Sequence, residues 1–302
     1  MLSIGADIGG SHISSCLFKH SDKVLMTESM VIREVNRLGS KEEILSDWVN
    51  ALSLTSKASK SSVRGVGLAM PGPFDYHRGI SLIKGVDKFE SLYLANVREE
   101  LAQRLNLEGN KVRFINDATA FTIAECLIGE AKYFNRCVGI TLGTGFGSAF
   151  TDKSRPLIGG KGVPAGGVLY DKKYNGLLAD DIFSTRGLIK RYFDKAGIMC
   201  DSVLQLASNV DKDPWAEQTF LQFGAELGLF LRPYLESFEA EGIVLGGNIC
   251  QAFHLFKHTL QSQLKEFKIY VSTYGQKAAM IGAARLLDDD YYSQIEEALK
   301  EM

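Results

Sequence analysis

Cysteine is sparse and unpatterned in this chain. The five cysteines (Cys16, Cys126, Cys137, Cys200 and Cys250) are odd in number and scattered, and no CxC or CxxC occurs. That argues against a redox or metal motif and fits reduced, buried thiols in a cytoplasmic protein. No apolar run approaches the roughly 20 residues of a membrane span. The first residues lack a basic stretch leading into an apolar core, so no secretion signal is expected. Charge of one sign is not in excess either: 34 Lys and Arg stand against 36 Asp and Glu, a formal net charge of −2. Without a basic field, nucleic acid is not an expected partner. Two common nucleotide signatures are missing as well. There is no GxxxxGK[ST] loop, and no GxGxxG leads from a strand into a helix.

What is present is glycine placed between apolar runs. Residues 138–150 read VGITLGTGFGSAF, a strand, a tight turn at Gly143-Thr144-Gly145, and a second strand. Residues 4–18, IGADIGGSHISSCLF, repeat the device around Gly9-Gly10-Ser11. Glycines without Cβ let a backbone approach an anion and turn N–H groups toward it. Two such hairpins in a chain of 302 residues suggest two similar halves facing one phosphate-binding cleft.

The rest of the pattern supports a duplication. In the first half, strands are expected at 2–7, 13–18, 24–32, 63–70 and 112–115, and helices at 40–57, 92–105 and 118–128. Ser40 with Glu43 forms a capping-box signature for the first helix. In the second half, a glycine-rich loop is expected at 156–167, helices at 180–196, 214–239 and 249–267, and strands at 241–245 and 268–271. Pro214 after Asp213 suits a first helical turn. A small-residue helix at 275–287 and a polar one at 288–302 close the chain.

Four constellations carry chemistry, and each has a plain structural alternative. Asp7 with Gly9-Gly10-Ser11 would cradle a phosphate and hold Mg²⁺ through water; otherwise it is an ordinary hairpin, with His12 a strand residue. Asn116-Asp117, ending a buried strand, offers a carboxylate as general base; otherwise Asp117 only N-caps the following helix. Gly143-Thr144-Gly145 would bind phosphate through amides and the Thr144 hydroxyl, or is another hairpin. Gly246-Gly247-Asn248 would let a base and ribose lie against backbone, or is a strand–helix turn. His254 and His258 have the spacing of a metal pair but no third ligand, so they read as a solvated helix face. Lys84, Lys88, Arg155 and Lys161 lie in loops that would suit an acidic substrate or simply form solvated surface.

The segments ADIGGSH, GLAMPGPFD, FINDATAF, GITLGTGFGSAF, GIVLGGNI and AAMIGAARL span nearly the whole chain. Together they resemble the ROK family (repressors, open reading frames and kinases) of sugar kinases, in the actin–hexokinase–heat-shock ATPase superfamily. The resemblance implies an α/β fold of two duplicated ribonuclease H-like (actin-like ATPase) domains, with mixed five-stranded sheets and flanking helices. The lobes are expected at 1–117, with helix 289–302 packing on it, and at 118–288. It further implies an ATP-dependent, glucokinase-like carbohydrate kinase acting on a hexose or amino sugar held in the interdomain cleft. Asp117 is then the base and Asn116 a sugar contact, with Gly72, Gly167 and Tyr170 on the sugar side. Gly9, Gly10, Ser11, His12, Gly143, Thr144 and Gly145 would surround the phosphates, and Gly246, Gly247 and Asn248 the adenosine. Asp7 would hold Mg²⁺ through water. A homodimer is expected.

Departures from the family pattern are concentrated in one region. The family's AGExGH segment matches Ala165-Gly166-Gly167-Val168-Leu169-Tyr170, so Gly167 replaces the Glu and Tyr170 the His. The cysteine-rich zinc segment that should follow reads YNGLLADDIFSTRG, so no structural zinc is expected. The first turn ends in Ser11-His12 rather than Thr-Lys. The family's NLPGW-like sugar loop is replaced near GVDKF at 85–89. Losing charged sugar contacts, each worth about 1.5–3 kcal/mol, changes the substrate or leaves a sugar- and nucleotide-binding regulator without a DNA-binding domain.

Overall fold

The computed structural model describes residues 1–302. The chain opens with β1 (Leu2–Ile8), β2 (His12–Lys19) and β3 (Val24–Glu34). α1 (Lys41–Lys57) starts at the expected capping box: Ser40 Oγ accepts the Glu43 N–H at 3.3 Å, and the Glu43 carboxylate accepts the Ser40 N–H at 2.7 Å. β4 (Val66–Met70), a two-residue ladder of β5 (Phe74–Asp75) and β6 (Ile80–Ser81), α2 (Val97–Leu105), β7 (Val112–Asn116) and α3 (Asp117–Leu127) follow. β1 pairs antiparallel with β2 and parallel with β4, giving a mixed sheet of order β3-β2-β1-β4-β7. α2 begins five residues later than its apolar pattern suggests. Tyr93 and Leu94 form a turn, with Leu94 left-handed at φ 62°, Asn96 bridges to Ile80, and Asn96 Oδ1 caps the helix by accepting the Glu99 N–H.

The second half repeats this path. β8 (Arg136–Leu142), β9 (Phe146–Asp152) and β10 (Arg155–Leu157) are followed by the small ladder of β11 (Lys173–Tyr174) and β12 (Leu177–Leu178). Then come α4 (Ala179–Phe183), α5 (Thr185–Ala196), α6 (Val203–Ser208), α7 (Pro214–Phe238), β13 (Gly242–Gly246), α8 (Phe253–Gln263) and β14 (Lys268–Val271). The sheet order is β10-β9-β8-β13-β14, with the same sense of pairing as the first. The helix expected at 180–196 is two helices, because Ser184 is extended (φ −96°, ψ 174°) and breaks it. The helix expected from Ile249 begins instead as a 3₁₀ turn, Asn248–Ala252.

Two compact units result: Met1–Ile128 with Gln276–Met302, and Gly129–Gly275. They divide after Ile128 and Gly275, whereas the borders expected from sequence fall after residues 117 and 288. The difference comes from α9 (Lys277–Arg285), which closes on the first unit together with α10 (Asp289–Glu301). The small residues of α9 bring its backbone against three partners. A Cβ on Gly282 would lie 1.8 Å from the Ala120 carbonyl oxygen of α3. A Cβ on Gly67 would lie 1.8 Å from the Ala283 oxygen, and one on Gly5 2.0 Å from the Met280 oxygen. α10 is fastened by Arg113, which donates to Asp289 at 2.7 Å and stacks on Tyr292. Each unit has its own apolar core. Trp48, Phe89 and Phe114 anchor the first, and Phe146, Phe183, Phe223 and Phe238 the second. Burying each such ring contributes about 1.5–3 kcal/mol.

Gly282→Ala should therefore destabilise the protein by about 1–3 kcal/mol through overpacking, read as a lower urea midpoint. At Gly159 an added methyl group meets nothing within 4 Å, so Gly159→Ala should stay within about 0.5 kcal/mol of wild type.

Candidate functional site

In the first unit, the expected residues gather at the carboxyl ends of neighbouring strands. Asp7 on β1 pairs with Ala69 of β4, and Met70 pairs with Asn116 of β7. Asp7, the turn from Gly9 to His12, Gly72 and Asn116-Asp117 thus leave one edge of the sheet, where open α/β sheets bind ligands. The turn is closed by the Gly9 N–H donating to the His12 carbonyl at 2.9 Å. The amides of Gly10 and Ser11 are left without an intramolecular partner, and both residues are exposed. A Cβ on Gly10 would meet nothing within 4 Å, so the space over it is open. His12 places its ring back over Gly9, with Nδ1 3.3 Å from Ser11 Oγ.

The helix cap is not Asp117, so the plain alternative for that residue does not hold. Asn116, not Asp117, N-caps α3: its Oδ1 accepts the Thr119 N–H at 3.1 Å. Its Nδ2 donates to the Tyr76 hydroxyl at 3.4 Å, and that hydroxyl in turn donates to the Met70 carbonyl. Asp117 becomes the first helical residue, held by the Ala118 N–H at 2.8 Å and still open to solvent on one side. Crowding on its other sides desolvates the carboxyl and raises its pKa, against the Ala118 hydrogen bond and the field of Lys88, which lower it. Asp7 has no hydrogen-bond donor. Burial, and then the charge of Asp117, push its carboxyl up to about 7.

The second unit holds the other two turns, again at adjacent strand ends. β8 leads into Gly143-Thr144-Gly145 and β13 into Gly246-Gly247-Asn248, with Gly246 paired to Thr141. Gly247 has φ +89°, and a Cβ there would lie 2.2 Å from the Leu142 oxygen, so only glycine lets the two turns come this close. The Gly143 N–H donates to the Gly145 carbonyl at 3.0 Å, while the amides of Thr144 and Gly145 remain exposed and unpartnered. Two residues that sequence reasoning missed support this turn. Asp180 Oδ1 accepts the Phe146 N–H at 2.7 Å, and Thr185 donates both its N–H and its hydroxyl to the Gly143 carbonyl, at 2.8 and 2.9 Å. Neither belongs to a local pattern, since each meets the turn from more than thirty residues away.

Gly167 and Tyr170 also lie in the second unit, and neither supplies a side-chain equivalent of the family residues. Gly167 is a buried turn residue with φ +66°, where a Cβ would lie 2.4 Å from the Leu157 oxygen. This backbone excludes a glutamate. Tyr170 is half exposed, and its carbonyl accepts the Asp180 N–H. The stretch standing where the family has its zinc segment is the β11–β12 hairpin, closed by Asn175 and Gly176 at φ 49° and 83°. That is the left-handed pair a two-residue type I′ turn requires. His254 and His258 are exposed on α8, and Lys161 pairs with Glu239 at 2.7 Å.

Two five-stranded mixed sheets of identical order, each carrying a glycine turn after its first strand, define a duplicated ribonuclease H-like fold of the actin-like ATPase class. A family model described as "ROK family" matches residues 3–290, and the chain belongs to that family. It is similar to the glucokinase of Thermotoga maritima, at 25% identity over 95% of this chain and 97% of that protein. It is similar also to the N-acetyl-D-glucosamine kinase of Mannheimia succiniciproducens, at 24% identity over 93% of this chain and 98% of that one. Among solved structures, the ROK hexokinase of Thermus thermophilus superimposes with a TM-score of 0.79 at 21% identity, covering 97% of this chain and all of that one.

The raised pKa of Asp7 sets a sign for stability. The folded state holds this proton more tightly than the unfolded chain, where an aspartate titrates near about 4. Folding stability is therefore lost as pH rises from about 4 through about 7. In EDTA, Asp7→Asn should melt a few degrees above wild type at pH 8, with the gap closing toward pH 4. A gap independent of pH would contradict the assignment.

Proposed function

We propose that this chain is an ATP-dependent sugar kinase, transferring the γ-phosphate to a hydroxyl of a hexose or amino sugar. The observation that carries the reading is the freedom of Asp117. Because Asn116 takes the cap, the Asp117 carboxylate stays open to solvent and desolvated enough to be a stronger base than an ordinary aspartate. The acceptor hydroxyl would donate its proton to this carboxylate as it attacks. Asn116, held by the Thr119 N–H and Tyr76, would lie beside the acceptor and steady the Asp117 carboxylate through its side-chain amide. The unpartnered amides of Gly10 and Ser11 in one unit, and of Thr144 and Gly145 in the other, would bind phosphate oxygens. Gly246 to Asn248 would take the adenosine.

The Asp7 carboxylate fits magnesium: it is a hard oxygen donor without a hydrogen-bond partner, beside a second carboxylate. Bound there through water, the metal would neutralise charge on the phosphate oxygens. The reading includes no structural zinc, since the β11–β12 hairpin closes on its own backbone. It includes a homodimer in the cytoplasm. Ile198, Met199 and Leu204, apolar and 55–73% exposed around α6, support self-association. No helix is long and apolar enough to cross a membrane.

A second reading, a sugar- and nucleotide-binding regulator with weakened catalysis, is favoured by Gly167, whose backbone cannot carry the family glutamate. A coupled ADP-release screen over hexoses, amino sugars, acidic sugars and glycosides separates the two. Sugar-dependent turnover is expected, and Asp117→Asn should lower it by about 10²–10⁴-fold, with ADP affinity and melting temperature kept. Binding of sugar and ADP with no phosphorylated product across the panel would favour the regulator. Wild-type turnover in Asp117→Asn would remove the base.

A further inference from the structure

The second glycine turn owes its shape to the junction of α4 and α5. Phe146, which starts β9, gives its N–H to Asp180 Oδ1, and Gly143, which follows β8, gives its carbonyl to Thr185 twice. The turn is thus gripped at both ends by side chains from one place, leaving its two middle amides free. The extended Ser184 is what aims Thr185 at Gly143. Gly187 lets the junction fold this tightly, since a Cβ there would lie 2.3 and 2.4 Å from the Asp181 and Ile182 oxygens. A Cβ at Gly145 would crowd the same carboxylate, lying 3.2 Å from Asp180 Oδ1. Phe146 and Phe183 then lock turn and helix together through ring contact at 5.7 Å.

A carboxylate next to a phosphate turn would ordinarily repel the ligand. Here the second oxygen of Asp180 accepts from the Arg186 guanidinium, which also reaches Asp181. The guanidinium offsets the Asp180 charge at the turn, the three groups together keeping one negative charge. We propose that Asp180 is a positioning residue for the nucleotide's β-phosphate: by holding the Phe146 N–H it keeps the Thr144 and Gly145 amides aimed outward, with Thr185 fixing the opposite end. This rests on the phosphate-binding reading of the turn given above.

The test is calorimetric titration of the full-length protein with ADP and with AMP, in magnesium buffer. Wild type should bind ADP well above AMP; equal affinities would overturn the phosphate reading itself. Given that preference, Asp180→Ala should weaken ADP by about 10- to 100-fold and leave AMP and sugar binding within twofold. Asp180→Asn, which keeps an oxygen acceptor for Phe146 but loses the ion pair, should recover part of the loss. Thr185→Val, which removes only the hydroxyl donor, should weaken ADP about 3- to 10-fold and serves if Asp180→Ala does not fold. ADP affinity unchanged in these variants, or AMP and ADP weakened equally, would overturn the positioning role.

Discussion

An amide N–H without an acceptor is costly when buried, by about 1–3 kcal/mol. The Gly9–His12 and Gly143–Gly145 turns each leave two amides without a protein acceptor, and escape that cost because each sits at the exposed end of a strand, where water or an anion can satisfy them. The strands behind the turns are buried and regular, so the unmet donors are confined to one rim of each sheet. Much of the remaining architecture follows from presenting that rim rigidly. β1 and β8 occupy the middle of their sheets, flanked by an antiparallel partner on one side and a parallel one on the other. A phosphate group arriving at either turn would meet donors already in place, which lowers the ordering cost of binding.

The first unit adds acid groups to the same rim. Asp7 and Asp117 sit close enough that the charge of one raises the pKa of the other, a destabilising arrangement in the free protein. Functional residues commonly carry such strain, because the charges are balanced only when a cation or substrate is bound. Asn116 resolves the competing demands. The amide oxygen completes the helix start, one amide hydrogen reaches Tyr76, and the neighbouring carboxylate, held by the Ala118 N–H, is relieved of capping.

Local signals were legible where the physics is local. The capping box of Ser40 and Glu43, Pro214 in the first turn of α7 behind the Asp213 cap, and both glycine hairpins were readable because each rests on residues within a few positions. Asn116 and Asp117 are both good cap residues. Which of them caps depends on where β7 stops, and that is set by its pairing with Met70. The late start of α2 likewise depends on a bridge from Asn96 to Ile80. The borders of the two units moved because α9 contacts backbone from β1, β4 and α3 at once, a contact among segments more than a hundred residues apart in the chain. Asp180 was invisible for the same reason: an acidic residue on a short helix has no sequence mark that it caps a distant strand.

By itself the sequence determined the duplicated order of strands and helices, the two glycine turns and the family, since apolar periodicity and backbone freedom are properties of neighbouring residues. Only the tertiary structure decided which asparagine oxygen capped α3, which carboxylate was thereby left for chemistry, and which distant side chains grip the second turn. Those outcomes depend on distances between strands and helices, and these exist only once the two cores have packed.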